Sequence, residues 1–261
     1  MGDSIMKWIP ITAIICIVIA VSIASAAVTP IGVDTAKGKA QDFLNASDAT
    51  VQYQKTEHLN LGEYYVFDTG EGQVYVNTHT GTVERASFDS ARKDSHEIRL
   101  DSAGAEAAAR AYAEEKYGGF AEKDMRLIES DLISHGDAGS EYSYIWREEV
   151  KGVLTPNTVV VNLNPSTGEI ISYIGIQREI NCPLEPKLSR DEALKIAAGQ
   201  FPGIKVIDAT ADLAVEYTRP DAQMLTWVVT MKGGPVDHVL QGGLVVVDAQ
   251  AGDVLMVSPY L

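Results

Sequence analysis

The residues best able to carry chemistry are the five histidines, because imidazole binds zinc and transfers protons near neutral pH. They are His58, His79, His96, His135 and His238. No two have the spacing His-x-x-x-His or His-Glu-x-x-His, which would place both rings on one face of a helix. Residues 94–97 (DSHE) offer three ligand types, but we interpret this charged segment as a solvated linker without the rigid support that metal ligands need. The sequence therefore predicts no metal site.

Other patterns that indicate catalysis are also missing from the sequence. There is no Gly-x-Ser-x-Gly elbow, no phosphate-binding glycine loop and no calcium-binding EF-hand loop. Glu148 and Glu149 are neighbours on a predicted strand, so their side chains point to opposite faces and cannot form a carboxylate pair. Cys182 has no histidine near it in the sequence to activate its thiol. We therefore expect no catalytic residue and no cofactor; a hydrolase without a recognisable motif is the alternative.

One short motif occurs three times and predicts the same hairpin turn each time. The copies are residues 76–83 (VNTHTGTV), 163–170 (LNPSTGEI) and 247–254 (VDAQAGDV). In each, Asn or Asp can bond to the backbone of the turn, and the glycine can adopt the positive φ that lets the second strand pair back. The predicted turn residues are Asn77, Gly81, Asn164, Gly168, Asp248 and Gly252.

A helix followed by strands precedes each turn. Ser189 and Glu192 form a capping box at the third predicted helix, and Asp101 caps the second. Asp34 or Thr35 is the predicted cap of the first helix. Beyond each helix the apolar residues alternate, as in a strand with one buried face. These alternating residues are Tyr65 and Phe67, then Tyr142, Tyr144 and Trp146, and finally Leu225, Trp227, Val229 and Met231.

These patterns predict an α+β protein of three tandem units, each with one helix packed on a small antiparallel sheet. The predicted boundaries are 31–88, 98–176 and 186–261, joined by linkers at 87–97 and 177–186. The first unit shows the weakest pattern, and its short sheet region predicts a degenerate copy. We refer to these three ranges as the first, second and third repeats.

Residues 1–28 predict a signal peptide or a membrane anchor. The run from Trp8 to Val28 is almost continuously apolar and reaches the length of about 20 residues that crosses a bilayer. Lys7 lies before this run and favours a cytoplasmic start, which places the bulk of the chain outside the cell membrane. Ala24-Ser25-Ala26 fits a signal-peptidase site, so the protein is either anchored as a single-pass membrane protein or secreted. Asn45-Ala46-Ser47 is a glycosylation sequon that is usable only after export.

The charge of the chain excludes one class of partner. Its 261 residues include 36 acidic and 21 basic side chains, a formal net charge of −15. Such an acidic surface repels phosphate backbones, so nucleic acid is not an expected partner. With 46% hydrophobic residues the chain has ample material for folded cores.

The repeated pattern resembles the PepSY domain, whose motif runs from a capped helix start to the V-[ND]-x-x-[TA]-G-[EDT]-[VI] turn. The third repeat matches best, from Leu188-Ser189-Arg190-Asp191-Glu192 to the turn at 247–254; the second matches at Leu100-Asp101-Ser102 and at 164–170, and the first chiefly in its turn. PepSY domains occur in propeptides of thermolysin-like peptidases and in exported or membrane-anchored proteins, as inhibitory or protein-binding modules. The resemblance thus implies binding without catalysis.

Taken together, these patterns and the resemblance predict a non-catalytic, extracytoplasmic module that binds a protein or peptide. An exported peptidase is one partner that the resemblance suggests, in which case the chain would be an inhibitor. A structural cell-envelope protein is a further alternative. The partner, cleavage of the leader, the oligomeric state and the role of Cys182 stay open at this stage.

Overall fold

The structure is a computed structural model that describes residues 29–46, 50–59, 61–93, 95–219, 222–236 and 239–260. The predicted leader at 1–28 lies outside the described residues, as do Ser47 of the sequon, Asp94 and His238. In the described part no helix is long and apolar enough to cross a membrane.

The described residues form three α-helices and twelve strands. The helices are α1 (Val33–Leu44), α2 (Ser102–Lys116) and α3 (Arg190–Ala198). The strands are β1 (Gln52–Leu59), β2 (Gly62–Asp68), β3 (Gly72–Asn77), β4 (Val83–Phe88), β5 (Met125–Ser134), β6 (Ser140–Val150), β7 (Val153–Leu163), β8 (Ile170–Ile176), β9 (Val206–Arg219), β10 (Ala222–Val236), β11 (Val239–Asp248) and β12 (Val254–Pro259). Each repeat therefore contributes one helix and four strands, including the first repeat.

The fold-class prediction of three separate helix-on-sheet units was wrong, because all twelve strands join one mixed sheet. The strand order is β1-β2-β3-β4-β8-β7-β9-β10-β11-β12, with β6 also paired to β7 and β5 paired to β6. The last strands of the first two repeats, β4 and β8, pair antiparallel from Arg85↔Ile174 to Ser87↔Ser172. A parallel bridge, Leu154↔Ala214, joins β7 to β9. The repeats merge because these strands satisfy each other's unpaired backbone groups.

The buried apolar residues form two clusters rather than three. The larger one lies under α1 and α2 together and includes Phe67, Val76, Trp146 and Tyr173. The smaller one lies under α3 and includes Trp227 and Val229. The alternating residues of β6 and β10 that the sequence marks as one face are buried in these clusters. The first two repeats therefore share a core, and the third has its own.

The three turns share one set of hydrogen bonds. The backbone N–H of Gly81, Gly168 and Gly252 donates to the carbonyl oxygen of Asn77, Asn164 and Asp248, at 2.9 Å in each turn. The side-chain oxygen of the same Asn or Asp accepts the N–H groups two and three residues later. The φ angles of the glycines are 69°, 77° and 82°.

Each turn also accepts a hydrogen bond from the residue that precedes the helix of the same repeat. The backbone N–H of Ile31, Leu100 and Leu188 donates to the second turn residue, at 2.7, 2.9 and 2.9 Å. Asp101 then caps α2 by accepting from the N–H of Gly104 at 2.7 Å. Ser189 and Glu192 form a reciprocal capping box on α3. At α1 the cap is Gly32 without a side-chain bond, so the predicted cap at Asp34 or Thr35 was wrong.

Replacing Gly252 with Val is expected to lower the free energy of unfolding by about 1–2 kcal/mol or more, because a side chain at φ 82° is strained. The midpoint of urea unfolding measures this loss. Gly234→Val in β10 is the control: its φ lies outside the positive range and no atom lies within 4 Å of the added Cβ. Equal midpoints for the two variants would contradict the assigned role of the turn glycine.

Candidate functional site

Within the described ranges, the histidines, carboxylates and cysteine that the sequence singles out do not come together in one site. His58 pairs with Glu63 at 2.9 Å near the surface, and His135 pairs with the buried Glu141 at 3.3 Å. The Nδ1 of His79 lies 3.0 Å from the hydroxyl of Thr78. Among the described residues no group of three or more His, Cys, Asp or Glu side chains is placed to hold a metal ion.

The remaining sequence candidates are placed singly. Glu148 accepts a bond from Asn157, whereas Glu149 accepts one from Arg126, so the two carboxylates have different partners. Cys182 packs against the smaller core, and burial raises the pKa of its thiol, which disfavours the reactive thiolate. Asn45 of the sequon ends α1 with a left-handed φ of 53° and is exposed.

A buried polar network joins the first repeat, the second repeat and the linker at 177–186. Glu84 of β4 is 1% exposed, and its carboxylate accepts one hydrogen bond from each terminal guanidinium nitrogen of Arg178, at 2.6 and 2.8 Å. The hydroxyl of Tyr64 donates to the same carboxylate at 2.7 Å, and burial together with this bond raises the pKa of Tyr64 to about 12. The backbone N–H of Arg178 donates to the side-chain oxygen of Asn157 at 2.6 Å. Arg178 lies in the segment predicted to be a linker, so sequence patterns gave no signal for this network.

A cleft opens beside this network on the face of the sheet without helices. Its volume is about 580 Å³, and we call it the arginine cleft. It is lined by Leu61, Arg85, Arg147, Pro156, Thr158 and residues 216–219. Trp146, Val159 and Val215 pack into the cores, so their strand neighbours Arg147, Thr158 and Glu216 point to the other face.

A second hollow adjoins the arginine cleft and continues toward β12. Its volume is about 530 Å³, it shares residues 216–218 with the cleft, and we call it the edge groove. Its apolar lining comes from Val228, Leu244, Val246, Leu255 and Met256. The two hollows thus form a surface that is cationic at one end and apolar at the other.

The strand β12 forms one outer edge of the sheet. Among the described strands it pairs with β11 alone, and every residue of β12 is exposed. Val254, Leu255, Met256 and Val257 are 37%, 42%, 45% and 38% exposed, and no charged side chain interrupts them. An exposed, uncharged apolar edge strand is a template for pairing with another chain.

The other two outer strands, β1 and β5, carry charges that disfavour such pairing. β1 contains Lys55 and Glu57, and β5 contains Arg126, Glu129 and Asp131. Charged side chains on an edge strand are the usual protection against unwanted strand addition. β12 is therefore the outer strand best suited to accept a partner.

The described residues combine three helices with one mixed sheet built from three repeats, which defines an α+β repeat class, and solved structures share this fold. The fold is similar to that of the Bacillus megaterium YpeB C-terminal domain, with a TM-score of 0.53 and 16% sequence identity over 89% of this chain and 99% of that one. The YpeB domain belongs to a PepSY-containing family. No protein-family model matches the sequence. The comparison with curated proteins also gives no match.

Proposed function

We propose that this chain is a PepSY-type binding module that acts outside the cytoplasm and holds an extended segment of another protein at β12. The observation that carries the proposal is the uncharged, exposed edge of β12. The YpeB-like fold and the repeated turn motif support the PepSY-type assignment. Lys7 and the apolar run that follows it support the extracytoplasmic location.

Strand addition needs backbone groups that point away from the sheet, and the register of β12 provides them. The N–H of Tyr260 donates to Gly242 of β11 at 3.0 Å. In an antiparallel pair, inward and outward backbone groups alternate along the strand. With Gly243 opposite Pro259 and Val245 opposite Val257, the backbone of Ser258 points toward β11 and that of Val257 points outward. Val257 therefore directs its N–H and C=O away from β11, toward the side on which a new strand would pair.

The net charge of the chain indicates the charge of the segment that it would bind. A net charge of −15 attracts basic segments and repels acidic ones. The exposed side chains of β12 favour apolar residues at alternate positions of the added strand. The occupant that fits both features is an extended apolar segment flanked by Lys or Arg. Because the charge is spread over the surface, its binding should weaken as salt concentration rises.

Val257→Pro in the full-length chain is expected to weaken the binding of such a segment about three- to tenfold or more, because proline removes an outward N–H but no bond to β11. The probe is a labelled peptide, Lys-Lys-Val-Thr-Val-Thr-Val-Lys-Lys, titrated by fluorescence anisotropy. Hydrogen exchange should show new protection at Val257 in the complex.

Val257→Thr is the matched control, since threonine keeps the N–H and the β-branched shape, and its affinity should stay near that of the natural chain. Equal weakening by both variants, or protection at β1 or β5 instead, would refute the site. A dimer that Val257→Pro dissociates, with no peptide bound, would show that β12 pairs with a second copy of the chain.

A further inference from the structure

The arginine cleft carries an excess of positive charge in a strongly acidic protein. Three arginines and one glutamate line it, while the whole chain has a net charge of −15. One arginine is already neutralised: Arg147 pairs with Glu216 at 2.8 Å and also donates to the carbonyl oxygen of Thr155 at 2.9 Å. The unbalanced charge therefore belongs to Arg85 and Arg219.

Arg85 has an unmet hydrogen-bonding requirement in the cleft. It lies opposite Tyr75 in the register of β3 and β4, next to Ala86, which packs into the larger core, so its side chain lies on the face without helices. Its Nε is buried and has no hydrogen-bond partner among the described residues. A buried donor without an acceptor costs stability and is a reason to look for a missing ligand.

Arg219 lies at the rim of the cleft and adds a second positive charge there. It is exposed, and within the part of the chain that the structure describes no carboxylate lies within 4 Å of its guanidinium. A guanidinium group presents a planar fork that matches the two oxygens of a carboxylate or phosphate. Two such groups in a cleft of about 580 Å³ suit a small anionic group.

We propose that the arginine cleft binds the carboxylate of an apolar ligand, whose body lies in the edge groove. The net charge of −15 on the chain repels a phosphate dianion more strongly than a singly charged carboxylate. The contiguous groove is lined by Val228, Leu244 and Val246, which favour an apolar body. This site goes beyond strand addition at β12, because it uses the face of the sheet rather than its edge.

The test is isothermal titration of the full-length chain with two carboxylates, octanoate and acetyl-Val-Leu-Val, and with the amide of the same peptide. We expect a carboxylate to bind and the amide not to bind. Arg85→Gln and Arg219→Gln should each lower the affinity about tenfold, because each removes a charge-assisted hydrogen bond. Arg85→Lys, which keeps the charge but loses the planar fork, should give an intermediate loss.

Arg99→Gln is the control, since Arg99 is an exposed arginine paired with Glu97 outside the cleft, and it should leave the affinity unchanged. Urea unfolding of every variant separates lost binding from lost folding. Binding of octanoate alone would identify a lipid-like acid, and binding of the peptide acid alone a peptide terminus; both support the site. Equal binding of peptide acid and amide, an affinity unaffected by Arg85→Gln and Arg219→Gln, or no binding of either carboxylate would overturn it.

Discussion

Arg178→Met is expected to lower the free energy of unfolding by about 3–5 kcal/mol, because it leaves the buried carboxylate of Glu84 without its cation. Glu84 is 1% exposed and makes two bonds to Arg178, so water cannot replace the lost partner. The hydroxyl of Tyr64 would remain as a donor, but a neutral donor does not offset a buried charge. Urea unfolding followed by circular dichroism measures the loss.

Two further variants show whether the loss comes from the isolated charge. In Arg178→Met/Glu84→Leu both charges are absent, and we expect much of the stability to return. Arg99→Met breaks the exposed pair with Glu97, whose side chains are 66% and 68% exposed, and should cost less than about 1 kcal/mol. If Arg178→Met costs no more than Arg99→Met, the network does not hold the repeats together.

Trp146→Ala is expected to destabilise the first two repeats together by about 3–5 kcal/mol, because it opens a cavity in the core they share. Trp146 is fully buried and stacks on Tyr144 at 5.9 Å, with the ring of Phe120 edge-on at 5.6 Å. Native-state hydrogen exchange should then quicken in β3 of the first repeat as well as in β6 and β7 of the second. Faster exchange in the second repeat alone would contradict a shared core.

Trp146→Phe provides the control for this experiment. The indole N–H of Trp146 is buried and has no acceptor among the described residues, so phenylalanine removes an unsatisfied donor while filling part of the space. The free energy of unfolding that Trp146→Phe loses should be well below the loss caused by Trp146→Ala. Trp227 lies in the smaller core under α3, so Trp227→Ala should quicken hydrogen exchange in the third repeat first.

Local features of this chain could be predicted from its sequence because they depend on residues close together. The turn motif places Asn or Asp four residues before a glycine, and all three copies have the same bonds and a positive φ at that glycine. The capping box of Ser189 and Glu192 spans only four residues. The alternation of Tyr142, Tyr144 and Trp146 specifies which face of β6 is buried. Each of these depends on backbone geometry within one turn or one strand.

The tertiary structure alone decided which strands meet and what lies between them. Alternating side chains specify the faces of a strand, but its edges carry backbone groups that are the same in every sequence. The pairings of β4 with β8 and of β7 with β9, which together turned three expected sheets into one, left no pattern in the sequence for this reason. Glu84 and Arg178 are 94 positions apart, and Arg85, Arg147 and Arg219 come from three different repeats. Their proximity, and the exposure of β12, follow from the joined sheet rather than from any local spacing.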